Sequence, residues 1–278
     1  MRRLPCVIRR AVESLRLRAL DAVDVVRHDD RLVPPRRLRG FVGDSDFRAT
    51  GDEFLELCVE VAQLQPDERV LDVGSGIGRM ARPLAGYLRP PGAYEGFDVV
   101  PEGVAWCLRR YHAHPHFHFQ LADVRNGLYR PGAGVPAREY TFPFDDASFD
   151  FAFATSVFTH LLPDEADRYL GEMARVLRPA GRLLATFFVL DAAGRHRTAP
   201  GGRVTFAHDH GSYATDSLET PEDAVAYDEG WLRARLNAHG LELSGPIRLG
   251  TWSGLPEADT QQFQDVVLAR PAGGAPAS

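Results

Sequence analysis

The chain has 278 residues, enough for one large domain or two small ones with a sizeable core. Hydrophobic residues make up 44% and charged residues 25%, the balance expected of a soluble globular protein. A formal net charge of −6 leaves no electrostatic case for a nucleic-acid or other polyanionic partner.

Other exclusions follow from particular residue types. The three cysteines, Cys6, Cys58 and Cys107, lie far apart and form no C-x-x-C pair. That argues for a reducing cytoplasm and against a disulfide framework or zinc cluster. No apolar run approaches the roughly 18 residues a membrane span needs. The apolar run near Met1 is broken by arginine within four residues, unlike that of a signal peptide. All 32 basic residues are arginine, which excludes a lysine base or Schiff-base chemistry.

Eleven arginines crowd the first forty residues, and Ala11 to Val26 carries apolar positions at helical spacing. An amphipathic helix packed on the main domain is expected there, with an anionic or membrane-surface patch as the other reading. Pro34-Pro35 stops any helix at that point. Residues 1–50 are therefore set apart as a helical or lid segment. A helix over Gly51–Gln65 leads into the core domain. From Arg69 the pattern alternates: strand Arg69–Val73, helix Arg79–Leu88, strand Ala93–Val99, helix Glu102–Tyr111, strand His116–Leu121, strand Phe149–Ala154, helix Pro163–Leu177. Arg178–Gly181 reads as a turn and Arg182–Leu190 as an apolar strand. Helix Glu229–His239 follows, then strands Glu242–Leu249 and Gln262–Ala269 as an antiparallel edge pair. Such alternation implies an α/β fold, a doubly wound and mostly parallel sheet covered by helices on both faces. The core domain is placed at 51–270, with irregular insertions at 125–141 and 191–228 read as substrate-cap loops. The Pro/Gly/Ala-rich tail, 271–278, is expected to be disordered.

One stretch carries the chemistry. Strand Arg69–Val73 runs into Gly74, Gly76 and Gly78, and a helix follows. A strand, glycine turn and helix bring backbone N–H groups close to a ligand with no side chain between; tight packing alone is the other reading. The dinucleotide fingerprint would place its third glycine three residues after the second, where this chain has Arg79. Asp72, two residues before the first glycine, suits a ligand with a cationic amino group. At this point the chain resembles the class I S-adenosylmethionine-dependent methyltransferases, and the resemblance runs from Arg69 to Leu190. It implies a Rossmann-like sheet of seven strands and S-adenosylmethionine as cofactor.

The resemblance also assigns residues. Asp72, Gly74, Ser75, Gly76 and Gly78 belong to the first motif. Asp98 ends the second strand, where a carboxylate accepts both ribose hydroxyls, and Val99 packs against adenine. NAD-binding folds use the same device, so Asp98 alone does not separate the two cofactors. Ala122-Asp123-Val124 resembles the adenine-recognition motif, with Asp123 accepting from the exocyclic amine. Thr155 lies in the segment resembling the loop around the methionine moiety. The fourth motif, Ala154-Thr155-Ser156-Val157, resembles neither the DNA amino-methyltransferases nor the RNA cytosine-C5 enzymes. The Asp145-Asp146 pair sits before the strand rather than in a metal cluster, so no metal is expected.

Histidine, with an unperturbed pKa of ~6.5, suits the general base that an alcohol or phenol acceptor needs. His160, just past the methionine loop, is the catalytic candidate; organising the loop is its other reading. His208-Asp209-His210 is the second candidate; as metal ligands the two histidines lack an evident third partner, so a polar loop is its other reading. Tyr227, Asp228, Glu229 and Trp252 are placed at the pocket by their position after cap elements. The expected activity is metal-independent, in-line methyl transfer to a small organic acceptor, a hydroxyl oxygen of a sugar or specialised metabolite. Transfer to nitrogen or carbon, or cofactor binding without catalysis, stays open, as does a homodimer.

Overall fold

The computed structural model describes residues 30–40, 45–125, 132, 134–191, 204–252, 254 and 262–273. The expected helix at 11–26 lies outside them.

Seven strands form the main sheet: β1 Arg69–Val73, β2 Ala93–Asp98, β3 Phe117–Leu121, β4 Phe149–Ala154, β5 Leu177–Phe187 and, nearer the C-terminus, β10 Leu241–Leu243 and β11 Asp265–Pro271. Their spatial order is β10-β11-β5-β4-β1-β2-β3. The five central and N-terminal strands are mutually parallel; β11 runs antiparallel to β5, and β10 antiparallel to β11. The α/β doubly wound sheet and its antiparallel edge pair are as the sequence pattern implied.

Helices α1 Phe47–Glu60, α2 Ala81–Tyr87 and α3 Pro101–Arg110 cover one face, and α4 Pro163–Val176 and α5 Glu229–Ala238 the other. The strands divide their side chains accordingly: Val70 joins the core with Phe54, Leu84 and Trp106, while Leu71 and Val73 join the one with Leu170, Met173 and Leu232. Helix starts follow local chemistry. Asp46 accepts from the Arg48 and Ala49 N–H groups, and Asp228 from those of Gly230 and Trp231. Pro163 opens α4, where Glu165 reaches back to accept from the Leu162 N–H at 3.0 Å.

Several boundaries differ from the sequence expectation. Arg178–Gly181 is not a separate turn but lies within β5 as a bulge: Phe149 pairs with Leu177 and Phe151 with Arg182. The apolar run also does not continue as one strand to Leu190. β5 ends at Phe187, and β6 Val189–Leu190 enters a second sheet with β7 His208–Asp209, β8 Tyr213–Thr215 and β9 Val225–Asp228, in the order β6-β9-β8-β7. Part of the expected cap loop at 191–228 is therefore a small sheet resting on Phe188, Phe206 and Trp252. The strand expected over 242–249 shortens to β10, with an isolated bridge from Arg248 to Val266 beyond it. Pro271 belongs to β11, opposite Leu241, and the Ala272 N–H donates to the Gly240 carbonyl, so the ordered domain runs past the expected tail boundary.

Strand order reverses between β1 and β4. The crevice at their C-terminal ends is where open α/β sheets place ligands.

Candidate functional site

A cavity of about 470 Å³ opens at that crevice. One end is built from the turn after β1. The Gly74 and Ser75 N–H groups both donate to the Phe97 carbonyl at 3.0 Å, which ties the turn to β2. Gly74 has φ +83°, and a Cβ there would stand 2.4 Å from Val157 Cγ2. Only glycine meets both conditions without strain. Asp98, 8% exposed, accepts from the Gly76 N–H at 2.7 Å through Oδ2 and from the Val100 N–H at 2.8 Å through Oδ1. Burial pushes its carboxyl pKa up, and the backbone donors pull against that shift. Ser75 Oγ lies buried on the same wall without a hydrogen-bond partner.

The other end is held from a distance. Ser156, at φ +55°, donates its N–H to Thr186 Oγ1 at 2.8 Å, and Gln264 Oε1 accepts from both the Ser156 and Thr186 hydroxyls. The loop then makes a single 3-10 turn, Phe158–His160. Fully buried Tyr227, from β9, donates to the Phe158 and Leu161 carbonyls on either side of His160. His160 Nδ1 lies 2.9 Å from the Glu222 carbonyl oxygen, just before β9. A neutral ring then carries its proton on Nδ1, leaving the Nε2 lone pair as the base. Glu165 and Tyr169, one turn apart on α4, complete this end together with Glu222. Burial pushes the Glu165 carboxyl up, and nearby Glu222 adds to the shift.

Of the residues the sequence singled out, the structure brings Gly74, Ser75, Gly76, Asp98, Val99, Val124, Thr155 and His160 to the cavity wall. It does not bring Asp72, Gly78 or Asp123 there. Asp72 is 1% exposed and accepts from Tyr94 Oη at 2.6 Å, on the sheet face that packs against α1 and α3. Gly78 closes the turn by donating to the Ser75 carbonyl, and Asp123 is exposed, its carbonyl accepting from the Val135 N–H. Nor do Tyr227, Asp228, Glu229 and Trp252 line the cavity: Tyr227 anchors the His160 loop, Asp228 caps α5, Glu229 pairs with Arg233, and Trp252 donates to Asp265. His210 stacks on Tyr213. No group of three His, Cys, Asp or Glu among the described residues is placed to hold a metal, and no described helix is long and apolar enough to cross a membrane.

Sequence reasoning missed Arg79, Met80, Arg125, Glu165, Tyr169 and Glu222 on the wall. Only the Glu165–Tyr169 pair left a signal, an i,i+4 spacing on the helix just after His160.

The donor set fits a nucleoside-bearing cofactor. Asp98 is a buried carboxylate whose two backbone donors fix it while leaving lone pairs for ribose hydroxyls. Comparison with known proteins agrees. Residues 71–185 match the family model of a methyltransferase domain. The chain is 35% identical over 119 residues to phthiotriol/phenolphthiotriol dimycocerosates methyltransferase 1 of Mycobacterium ulcerans, covering 43% of this chain and 37% of that protein. It is 36% identical over 119 residues to the fatty-acid O-methyltransferase of Mycolicibacterium smegmatis, covering 43% and 36%. The chain thus spans little more than a third of the length of these relatives. In fold it is similar to a SAM-dependent methyltransferase of Methanosarcina mazei, with a TM-score of 0.51 at 21% identity, covering 77% of this chain and 97% of that one. The β1 turn, the strand order and the family match together identify residues 71–185 as a methyltransferase domain of the class I S-adenosylmethionine-dependent family.

Proposed function

We propose that the protein transfers a methyl group from S-adenosylmethionine to a hydroxyl oxygen of a small organic acceptor, with His160 as general base. The observation that carries this reading is the pairing of His160 Nδ1 with the Glu222 carbonyl, which frees Nε2 on a side chain lining the cavity. When bound, the cofactor supplies a methyl group already activated by its sulfonium. Asp98 and the backbone of Gly74–Gly76 hold the nucleoside end; Gly78 closes that turn from behind the wall. Val99 and Val124 flank the base, and Thr155 the methionine arm. His160 takes the hydroxyl proton as the oxygen attacks, and the two walls hold the reactants in line, the source of much of the rate.

The Asp145-Asp146 turn supports a metal-independent route, since Asp146 is engaged by Arg175 at 2.7 Å. The M. smegmatis relative is named for O-methyl transfer, which supports oxygen as the acceptor element. Within the insertions at 125–141 and 191–228, Ala137 and Glu222 stand on the cavity wall, so the described parts of these segments act as its covers, and the buried Cys58 and Cys107, free of disulfides, suit a cytoplasmic setting. The test is methyl transfer from labelled cofactor to a panel of alcohols and phenols. His160→Ala is expected to lower kcat by ~10²–10⁴-fold with cofactor affinity kept. A rate within threefold of the parent protein would sink the base assignment and turn attention to nitrogen or carbon acceptors.

A further inference from the structure

The acceptor end carries more negative charge than hydroxyl chemistry needs. Glu165 and Glu222 both reach the cavity beside His160, and Tyr169 stands one helical turn from Glu165. Tyr169 is 4% exposed, yet its hydroxyl has no hydrogen-bond partner among the described residues while the side chain lines the cavity. The hydroxyl is not shut off from solvent, so it is open to the cavity, where a ligand group can pair with it. Glu165 itself spends one oxygen on the Leu162 N–H at 3.0 Å. The carboxylates have a cationic neighbour in Arg138, but that residue is exposed and lies 3.5 Å from Glu139.

We propose that the acceptor carries a protonated amine in addition to its reacting hydroxyl, and that Glu165 and Tyr169, with Glu222 nearby, hold the ammonium while His160 faces the hydroxyl. This rests on the hydroxyl-transfer reading and names its substrate class, an amino alcohol or aminophenol. An ammonium offers three donors; the Glu165 carboxylate and the Tyr169 oxygen are the acceptors that meet it. A bound cation also opposes, by charge, the upward shift that burial gives the Glu165 carboxyl. A carboxylate in the same place would face two like charges, so the site selects by repulsion as well as attraction.

Three probes share one phenol and differ in side-arm charge: tyramine, 4-ethylphenol and 4-hydroxyphenylacetate. Calorimetry on the full chain saturated with S-adenosylhomocysteine should give a Kd for tyramine at least tenfold below that of 4-ethylphenol, with 4-hydroxyphenylacetate weakest. Glu165→Gln keeps an oxygen for the Leu162 N–H, so α4 stays capped. It should shrink the tyramine advantage to within threefold and leave 4-ethylphenol within twofold. Tyr169→Phe should weaken tyramine several-fold and spare 4-ethylphenol. S-adenosylhomocysteine affinity within twofold of the parent protein certifies the fold of each variant. A charge-indifferent series, an anion preference, no binding of any probe, or a Glu165→Gln protein with the parent selectivity would overturn the amine assignment. Failure of the underlying reading shows separately, as lost cofactor binding or as a His160→Ala protein that keeps its rate.

Discussion

The two ends of the cavity reach their ligands by different means. At the cofactor end, Gly74, Ser75 and Gly76 follow one another in the chain, and their recognition groups are backbone N–H groups and one carboxylate at the end of the adjacent strand. At the acceptor end, His160 depends on a carbonyl 62 residues away and on the Tyr227 hydroxyl from β9. Local backbone geometry fixes the first end as soon as β1 and β2 pair. The second exists only once the small sheet has docked on the 155–161 loop. A change to the turn should therefore damage cofactor binding directly, and a change to the small sheet should damage transfer while sparing the cofactor.

Gly74→Ala tests the first half of that contrast and should have the largest effect. The added methyl meets Val157 Cγ2 at 2.4 Å, and the residue must hold φ +83°, a conformation alanine resists. Strain and overpacking together should cost about 1–3 kcal/mol of stability. Calorimetry should show S-adenosylhomocysteine affinity falling at least tenfold, with thermal unfolding reporting the loss of stability. An alanine variant that binds the cofactor product normally would mean the turn is not the rigid element described above.

Tyr227→Phe tests the second half. It removes only the hydroxyl that donates to the Phe158 and Leu161 carbonyls, while the ring keeps its packing on Trp231 and Phe187. Loss of a buried hydrogen-bonding group should cost about 1–3 kcal/mol. The methyl-transfer rate should fall several-fold as the His160 turn loosens, and S-adenosylhomocysteine affinity should stay within twofold. Equal losses in both quantities would show that the two ends are mechanically coupled.

The same contrast explains what could be read from the chain alone. β1, β4 and α4 were legible because a buried parallel strand is a mostly apolar run, broken here only by Arg69, Asp72 and Asp150, and α4 is amphipathic with Pro163 at its start. The glycine turn was legible because backbone recognition leaves a spacing pattern. Glu222 was not, since its contribution to His160 is a carbonyl, which every residue type carries. The bulge at Arg178–Gly181 was hidden because Pro179 and Gly181 signal a turn whether or not the strand continues through it. Asp72 stands off the cavity wall for a related reason. Its motif position names an acidic side chain, but the two-residue period of β1 sends that side chain toward Tyr94, opposite Leu71 and Val73.

Asp72→Asn probes that last point, with the smallest expected effect on ligand binding. Burial lifts the Asp72 carboxyl to about 8, against a smaller opposing contribution from the Tyr94 hydrogen bond and a further push from Asp98. Oδ1 has no partner, so nothing on the second oxygen offsets the burial. An unfolded chain releases this proton near 3.8. Between pH ~4 and ~8 the folded protein therefore holds a proton that the unfolded chain has lost, and stability falls as pH rises, by up to ~1.4 kcal/mol per unit, before levelling above pH ~8. Asparagine removes that proton from the balance and keeps an oxygen for Tyr94 Oη. Denaturant titrations at pH 5, 6, 7 and 8 should show a flatter stability profile for the variant, while S-adenosylhomocysteine binds within twofold of the parent protein. A tenfold loss of that affinity would place Asp72 in contact with the cofactor and extend the ligand-binding end of the cavity through the sheet to its opposite face.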